Sequence, residues 1–300
     1  MAYADVILPS QPARGLPAVR SIGFDDLRYA LAKGVEDFRA MPTHVIFLSL
    51  IYPIAGLALW RATFGYNVVP LLYPLAAGFA LIGPFAAIGL YELSRRREMG
   101  LDTSWRHAFD IVHSPSVWSI AALGGLLLAI FGVWLAVANG IYVSNFGYRQ
   151  PTSLSEFVHM VFATPQGHNM ILVGNIVGFL FAVLVFALSA VSFPLLLDRN
   201  VGMHVAVATS LGVILKNPIT MALWGFIVAF GLLIGSLPLF FGMAVVMPIL
   251  GHASWHLYRR AVEPDTSPRP QYQPKPKARR YGADFPSSLF APLSRKDRIE

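Results

Sequence analysis

The chain has 300 residues and a net charge of +7, with 55% apolar against 13% charged residues; its mean hydropathy is +0.57. Soluble domains carry about 25% charged residues, so long stretches here must be free of charge, and an ordinary water-soluble domain is excluded. There is no cysteine, which removes thiol catalysis, disulfides and Cys-ligated zinc or iron–sulfur centres.

In chain order, residues 1–19 read as an N-terminal extension. The first 42 residues mix five basic with five acidic residues and hold no apolar core, so no removable signal peptide is expected and the first crossing helix serves as its own insertion signal. Between "RSIG" (20–23) and Pro42, Phe24, Leu27, Leu31, Val35 and Phe38 recur every three or four residues, with Asp25, Arg28, Lys33, Glu36 and Asp37 between them. That period predicts an amphipathic helix. It is too polar to span and is expected along the membrane surface or beneath a helix bundle. Apolar runs at about 43–61 and 68–93 then predict the first two transmembrane helices, since about 20 residues cross a bilayer.

The pattern returns twice. "REMG" (97–100) is followed by "HSP" ending at Pro115, and "RNVG" (199–202) by "KNP" ending at Pro218. Proline lacks an N–H and disfavours helix in the residue before it, so each marks a corner. Helices are expected at 116–138 and 170–197 in the second unit, and at 219–235 and 237–257 in the third. The second helix of each hairpin carries a proline: Pro84, Pro194 and Pro248. The expected fold is an all-α membrane protein with six transmembrane helices, built as three tandem repeats of an amphipathic surface helix plus a transmembrane hairpin. It occupies residues 20–262.

Orientation follows from lysine and arginine. Of the 23 such residues, only Arg61 and Arg149 fall on one side of this arrangement. Both termini are therefore expected in the cytoplasm, and the pI of 9.8 needs no nucleic-acid partner. The long outer connection, 139–169, contains "SLSE", where Ser153 and Glu156 fit a capping box, then the short apolar helix "EFVHMVFA". It reads as a flap on the outer interface. "GNIVG" (174–178) and "GLLIG" (231–235) are close-packing signals inside a bundle. Residues 263–300 are proline-rich and basic and cannot fold alone. Lys275, Lys277, Arg279 and Arg280 in that tail suit anionic headgroups, and Phe285, Leu289 and Phe290 suit docking to a partner.

Candidate chemistry is sparse. Glu92 and Asp198 fall at cytoplasmic helix ends and are expected to pair with the arginines after them. Asn175 is the amide well inside a span; with Ser189 and Ser192 it is the candidate lining of a polar path, although glue between helices is the expected role. His252 and His256, one turn apart, are candidate metal ligands. A zinc site needs a third ligand and a general base, and position 253 is Ala where HExxH has Glu. Lying beside Trp255, Tyr258 and Arg259, the pair reads as an interfacial rim. No cofactor, metal or catalytic role is expected.

The tracts "TPQGHNMILVGNIVGFLFA", "VSFPLLLDRNVGMHVAVATS" and "LPLFFGMAVVMPILGHASWHLYRR" resemble those of a bacterial family of predicted integral membrane proteins, the domain-of-unknown-function family DUF2189. The resemblance runs from about residue 22 to 260. It implies a polytopic inner-membrane protein and brings no established activity. The cytochrome c oxidase subunit I label that some members carry does not transfer, because that subunit needs histidines inside several helices. The expected role is a non-enzymatic accessory, scaffold or assembly subunit of a membrane complex, possible contexts including the respiratory chain. The alternative is a transporter or channel for a neutral or amphiphilic solute. Expected partners are anionic lipids and another inner-membrane complex.

Overall fold

A computed structural model describes residues 16–41, 74, 87–149, 151, 154–237 and 242–265. The expected helix at 43–61, most of that at 68–93, Pro42, Pro84, Arg61, Ser153 and the tail residues Lys275, Lys277, Arg279, Arg280, Phe285, Leu289 and Phe290 lie outside the described residues. All the regular elements described are helical: α1 (Phe24–Ala40), α2 (Ile88–Glu98), a 3-10 helix (Trp105–His113), α3 (Val117–Phe146), α4 (Leu154–Ala163), α5 (Pro165–Ser189), α6 (Ser192–Asp198), α7 (Met203–Lys216), α8 (Pro218–Ser236) and α9 (Met243–Ala261).

Three of these stretches are long and apolar enough to cross a membrane: Val117–Phe146, Pro165–Asp198 and Pro218–Ser236. They match the expected third, fourth and fifth helices. The third runs further than its apolar stretch, to Phe146, because polar residues of the last turns satisfy themselves locally: Asn145 donates to the Ile141 carbonyl at 2.7 Å. The fourth starts earlier, where Thr164 caps the Gly167 amide at 3.0 Å and Pro165 takes the first turn, a position that needs no N–H. Helix α9 covers the sixth expected segment from residue 243, with Pro248 inside it.

Of the three expected surface helices, two are α-helices, α1 and α7. The second is the 3-10 helix Trp105–His113. Helix α2 is closed off by Gly100, two residues past its end, whose φ of +68° favours glycine; the Leu101 amide returns to the Arg96 carbonyl at 2.9 Å.

The ends of α2, α6 and α9 pack on one another, and each carries a surface element: the 3-10 helix lies on α2, α7 on α6, and α1 on α9. All seven residues of α6 are buried. Helix α1 packs along α9. Its buried stripe is Leu27, Ala30, Gly34 and Asp37, while Phe24 is exposed. The apolar period is thus rotated from the one read in the sequence. Small residues decide this, because a Cβ on Gly34 would stand 2.6 Å from the Ile249 carbonyl oxygen and 2.8 Å from Ala253 Cβ.

The Arg-x-x-Gly starts are held by other corners. Asn217 accepts from the Ile22 amide at 2.8 Å and donates to the Arg20 carbonyl at 3.0 Å, and Thr220 donates to the Ile22 carbonyl at 3.0 Å. Ser116 donates to the Arg199 carbonyl at 3.2 Å. Arg97 pairs with Glu36 and Asp37 near the end of α1. An antiparallel bridge between Val19 and Val262 joins the start of the bundle to its last helix.

Candidate functional site

The polar residues of this chain gather where α1, α2 and α9 meet. Helix α9 presents His252 and His256 one turn apart, α1 presents Asp37, and α2 presents Ser94 and Arg97. Asp37 Oδ2 accepts from Ser94 Oγ at 2.7 Å and from His256 Nε2 at 2.9 Å. Asp37 Oδ1 accepts from Arg97 Nη1. Ser94 Oγ also stands 2.6 Å from His252 Nδ1. Asp37 and Ser94 are buried, and His252 has no exposure at all.

A carboxylate placed there must be compensated. Burial alone would raise the Asp37 pKa, but hydrogen bonds from His256 and Ser94 outweigh it and hold it at about 2. Asp37 is thus a fixed negative charge, and Arg97 supplies a permanent positive one. Further out, Glu36 meets Arg97 at 3.2 Å and Lys33 at 2.7 Å.

The proton count fixes the His252 tautomer. Ser94 has one hydroxyl proton, and an ionised carboxylate 2.7 Å away needs it. His252 must then carry its proton on Nδ1 and donate to Ser94 Oγ. That leaves Nε2 as a bare acceptor, buried and with no hydrogen-bond partner among the described residues. The arrangement contains the residue types of a nucleophilic triad in the wrong order. A hydrolytic serine gives its proton to an imidazole whose other nitrogen is held by the carboxylate. Here the carboxylate holds the serine itself.

A second polar group adjoins this one. Glu92 binds Arg95 through two bonds, 2.8 and 3.0 Å, with both side chains buried. Asp198 accepts from Tyr258 at 2.7 Å and lies 3.7 Å from Arg199. These are the pairings with following arginines that the sequence suggests. Glu98 accepts from Trp255 Nε1 and Arg259 Nε, each at 3.1 Å. Trp255 and His252 are buried in protein and not turned to headgroups, because α1 and α2 cover that side of α9. The interfacial reading of this stretch fails for that physical reason. Nothing in the local sequence announces the cover.

As for a metal, no group of three or more His, Asp or Glu among the described residues is arranged to hold an ion. His252 and His256 instead meet across Asp37 and Ser94. The other candidates stay apart. Asn175 is exposed on α5 and donates to its own helix, to the Ile171 carbonyl at 2.7 Å. Ser189 and Ser192 are buried and donate to Val185 and Leu188, at 2.7 and 2.6 Å. Fourteen residues of helix, about 21 Å at 1.5 Å per residue, separate Asn175 from Ser189. In the 139–169 connection, Glu156 accepts from Arg149 at 2.7 Å, and α4 packs on α5.

Sequence reasoning missed Asp37, Ser94 and Arg97. The one available signal was Asp37 itself, which stands three residues after Gly34 on the stripe of small residues. In the same way, Gly231 and Gly235 of "GLLIG" face Leu250, Val246 and Met243 of α9, a contact inside the bundle.

No curated protein and no solved structure matches the chain. The family match is shorter than the resemblance along 22–260 suggested and includes only the first of the three quoted tracts in full. Residues 72–198, from the expected second helix through α6, match the family model described as predicted integral membrane protein (DUF2189).

Proposed function

We propose that this chain is a bacterial inner-membrane protein of six spans in three tandem units, with both termini cytoplasmic, and that it works as a non-enzymatic accessory or scaffold subunit of a membrane complex. The three-unit reading is supported by the cyclic order of the contacts. The start of the first unit is held by the third corner, that of the third by the second, and that of the second by the end of α1. Each surface element also lies on the second hairpin helix of a neighbouring unit.

One observation carries the scaffold reading: the buried carboxylates Asp37, Glu92 and Asp198 are each bound to fixed donors, in adjoining polar groups. A transporter coupled to ions needs a charge that moves or is neutralised, whereas these are locked by arginines and hydrogen bonds. Such an assembly makes a stiff cytoplasmic platform. The basic tail, with Lys275, Lys277, Arg279 and Arg280, adds attraction to anionic lipid or an acidic partner. The reversed order of Ser94, His252 and Asp37 supports a structural role over hydrolysis.

The test is extraction from native membranes in mild detergent through a tag, with mass spectrometry of co-purifying proteins. A stoichiometric membrane complex is the expected result. A lone, monodisperse protein would overturn the accessory role and favour solute transport.

A further inference from the structure

The Trp105–His113 segment has a property that the scaffold role does not use. It is a 3-10 helix of nine residues, so side chains three apart stack in rows. In the first row, Ala108 is buried against Leu90 and Leu93, and Ile111 packs on the main core. The second row is polar. His107 bridges Asp110 at 2.5 Å and Asp102 at 3.0 Å, and Asp110 reaches Arg96 at 3.5 Å. The third row, Arg106, Phe109 and Val112, turns outward; Phe109 is 51% and Val112 62% exposed. The Arg106 guanidinium lies 6.0 Å from the Trp105 ring.

This outward row leads into α3 within a few residues. Trp118, in the first turn of α3, is 82% exposed. Helix α3 has 30 residues, about 45 Å at 1.5 Å per residue, against a hydrocarbon core of about 30 Å. Its first turn therefore reaches the headgroup zone, where tryptophan is favoured.

We propose that Arg106, Phe109 and Val112, together with Trp118, form a lipid-docking face that lies in the interface of one leaflet. Phe109 and Val112 enter the acyl boundary, Arg106 meets anionic phosphate headgroups, and Trp118 anchors the adjoining span. The occupant is lipid because the face is continuous with a membrane-crossing helix and combines apolar side chains with a cation. The proposal depends on α3 crossing the membrane and not on the accessory role.

The natural absence of cysteine makes the test direct. Phe109→Cys, Val112→Cys, Leu128→Cys and Asp25→Cys are each spin-labelled in the full-length protein, in nanodiscs of phosphatidylcholine and phosphatidylglycerol. Collisions with oxygen and with a water-soluble nickel chelate are compared at each site. Leu128, exposed in mid-α3, marks lipid, and Asp25, exposed on α1, marks water. Positions 109 and 112 are expected to favour oxygen several-fold over position 25 and to approach position 128. Nickel access equal to position 25 overturns the proposal. Shielding from both reagents overturns it too, by showing that protein covers the face. Water access at position 128 would instead overturn the crossing of α3, and the docking face with it.

Discussion

Asp37 is the residue on which the polar cluster turns, since it binds Ser94, His256 and Arg97 at once. Replacing it by Asn removes the charge and leaves the part-buried Arg97 beside a neutral group. The depressed pKa of Asp37 corresponds to roughly 2 kcal/mol, so Asp37→Asn should lower the thermal stability of the purified protein at neutral pH by that order. The pH dependence has a definite sign. The folded pKa of about 2 lies below the ordinary 3.8, so the ionised carboxylate stabilises the fold fully above about pH 4, by roughly 2 kcal/mol. That contribution falls away as the pH drops from about 4 through 2. Unfolding curves of both proteins across this range should converge at the acid end; a constant gap would show that the Asp37 charge is not what the cluster holds.

At the scale of elements, the crossing of α1 over α9 depends on Gly34. Its missing side chain lets the Ile249 carbonyl and Ala253 approach. Gly34→Ala should force the two backbones apart and cost about 1–3 kcal/mol. Gly125→Ala in α3 meets nothing within 4 Å and should be neutral or gain up to ~1 kcal/mol from helix propensity. Equal effects at the two sites would refute the close crossing. The elements themselves were largely legible. Apolar length announced α3, α5 and α8, and the corner prolines Pro115 and Pro218 marked where α3 and α8 begin. The face of α1 was not legible. Its period counts Phe24 as inward and Asp37 as outward, while packing reverses both, because close approach rewards small residues and the cluster satisfies the carboxylate.

For the whole molecule, the six-span reading makes a topological claim. Single cysteines at Asp25, Asp102 and Glu263 should react with a membrane-impermeant maleimide from the cytoplasmic side only. Cysteines at Gly65 and Tyr148 should react from the opposite side only. Labelling of Gly65→Cys on the same side as Asp25→Cys would remove the first hairpin and, with it, the three-unit arrangement.

The sequence by itself determined the class of this protein and the position of three stretches long and apolar enough to cross a membrane, because hydropathy accumulates along the chain and needs no knowledge of neighbours. It also marked Glu92 and Asp198 as paired, since their arginines follow within a few residues. Only the tertiary structure decided the candidate site. Asp37 meets Ser94 across 57 residues and His256 across 219, and no local pattern carries a contact of that span. His252 and His256 could be seen as a pair, but their chemistry was set by α1 and α2 folding over them. Burial turned two histidines of an expected headgroup rim into the inner wall of a charged cluster.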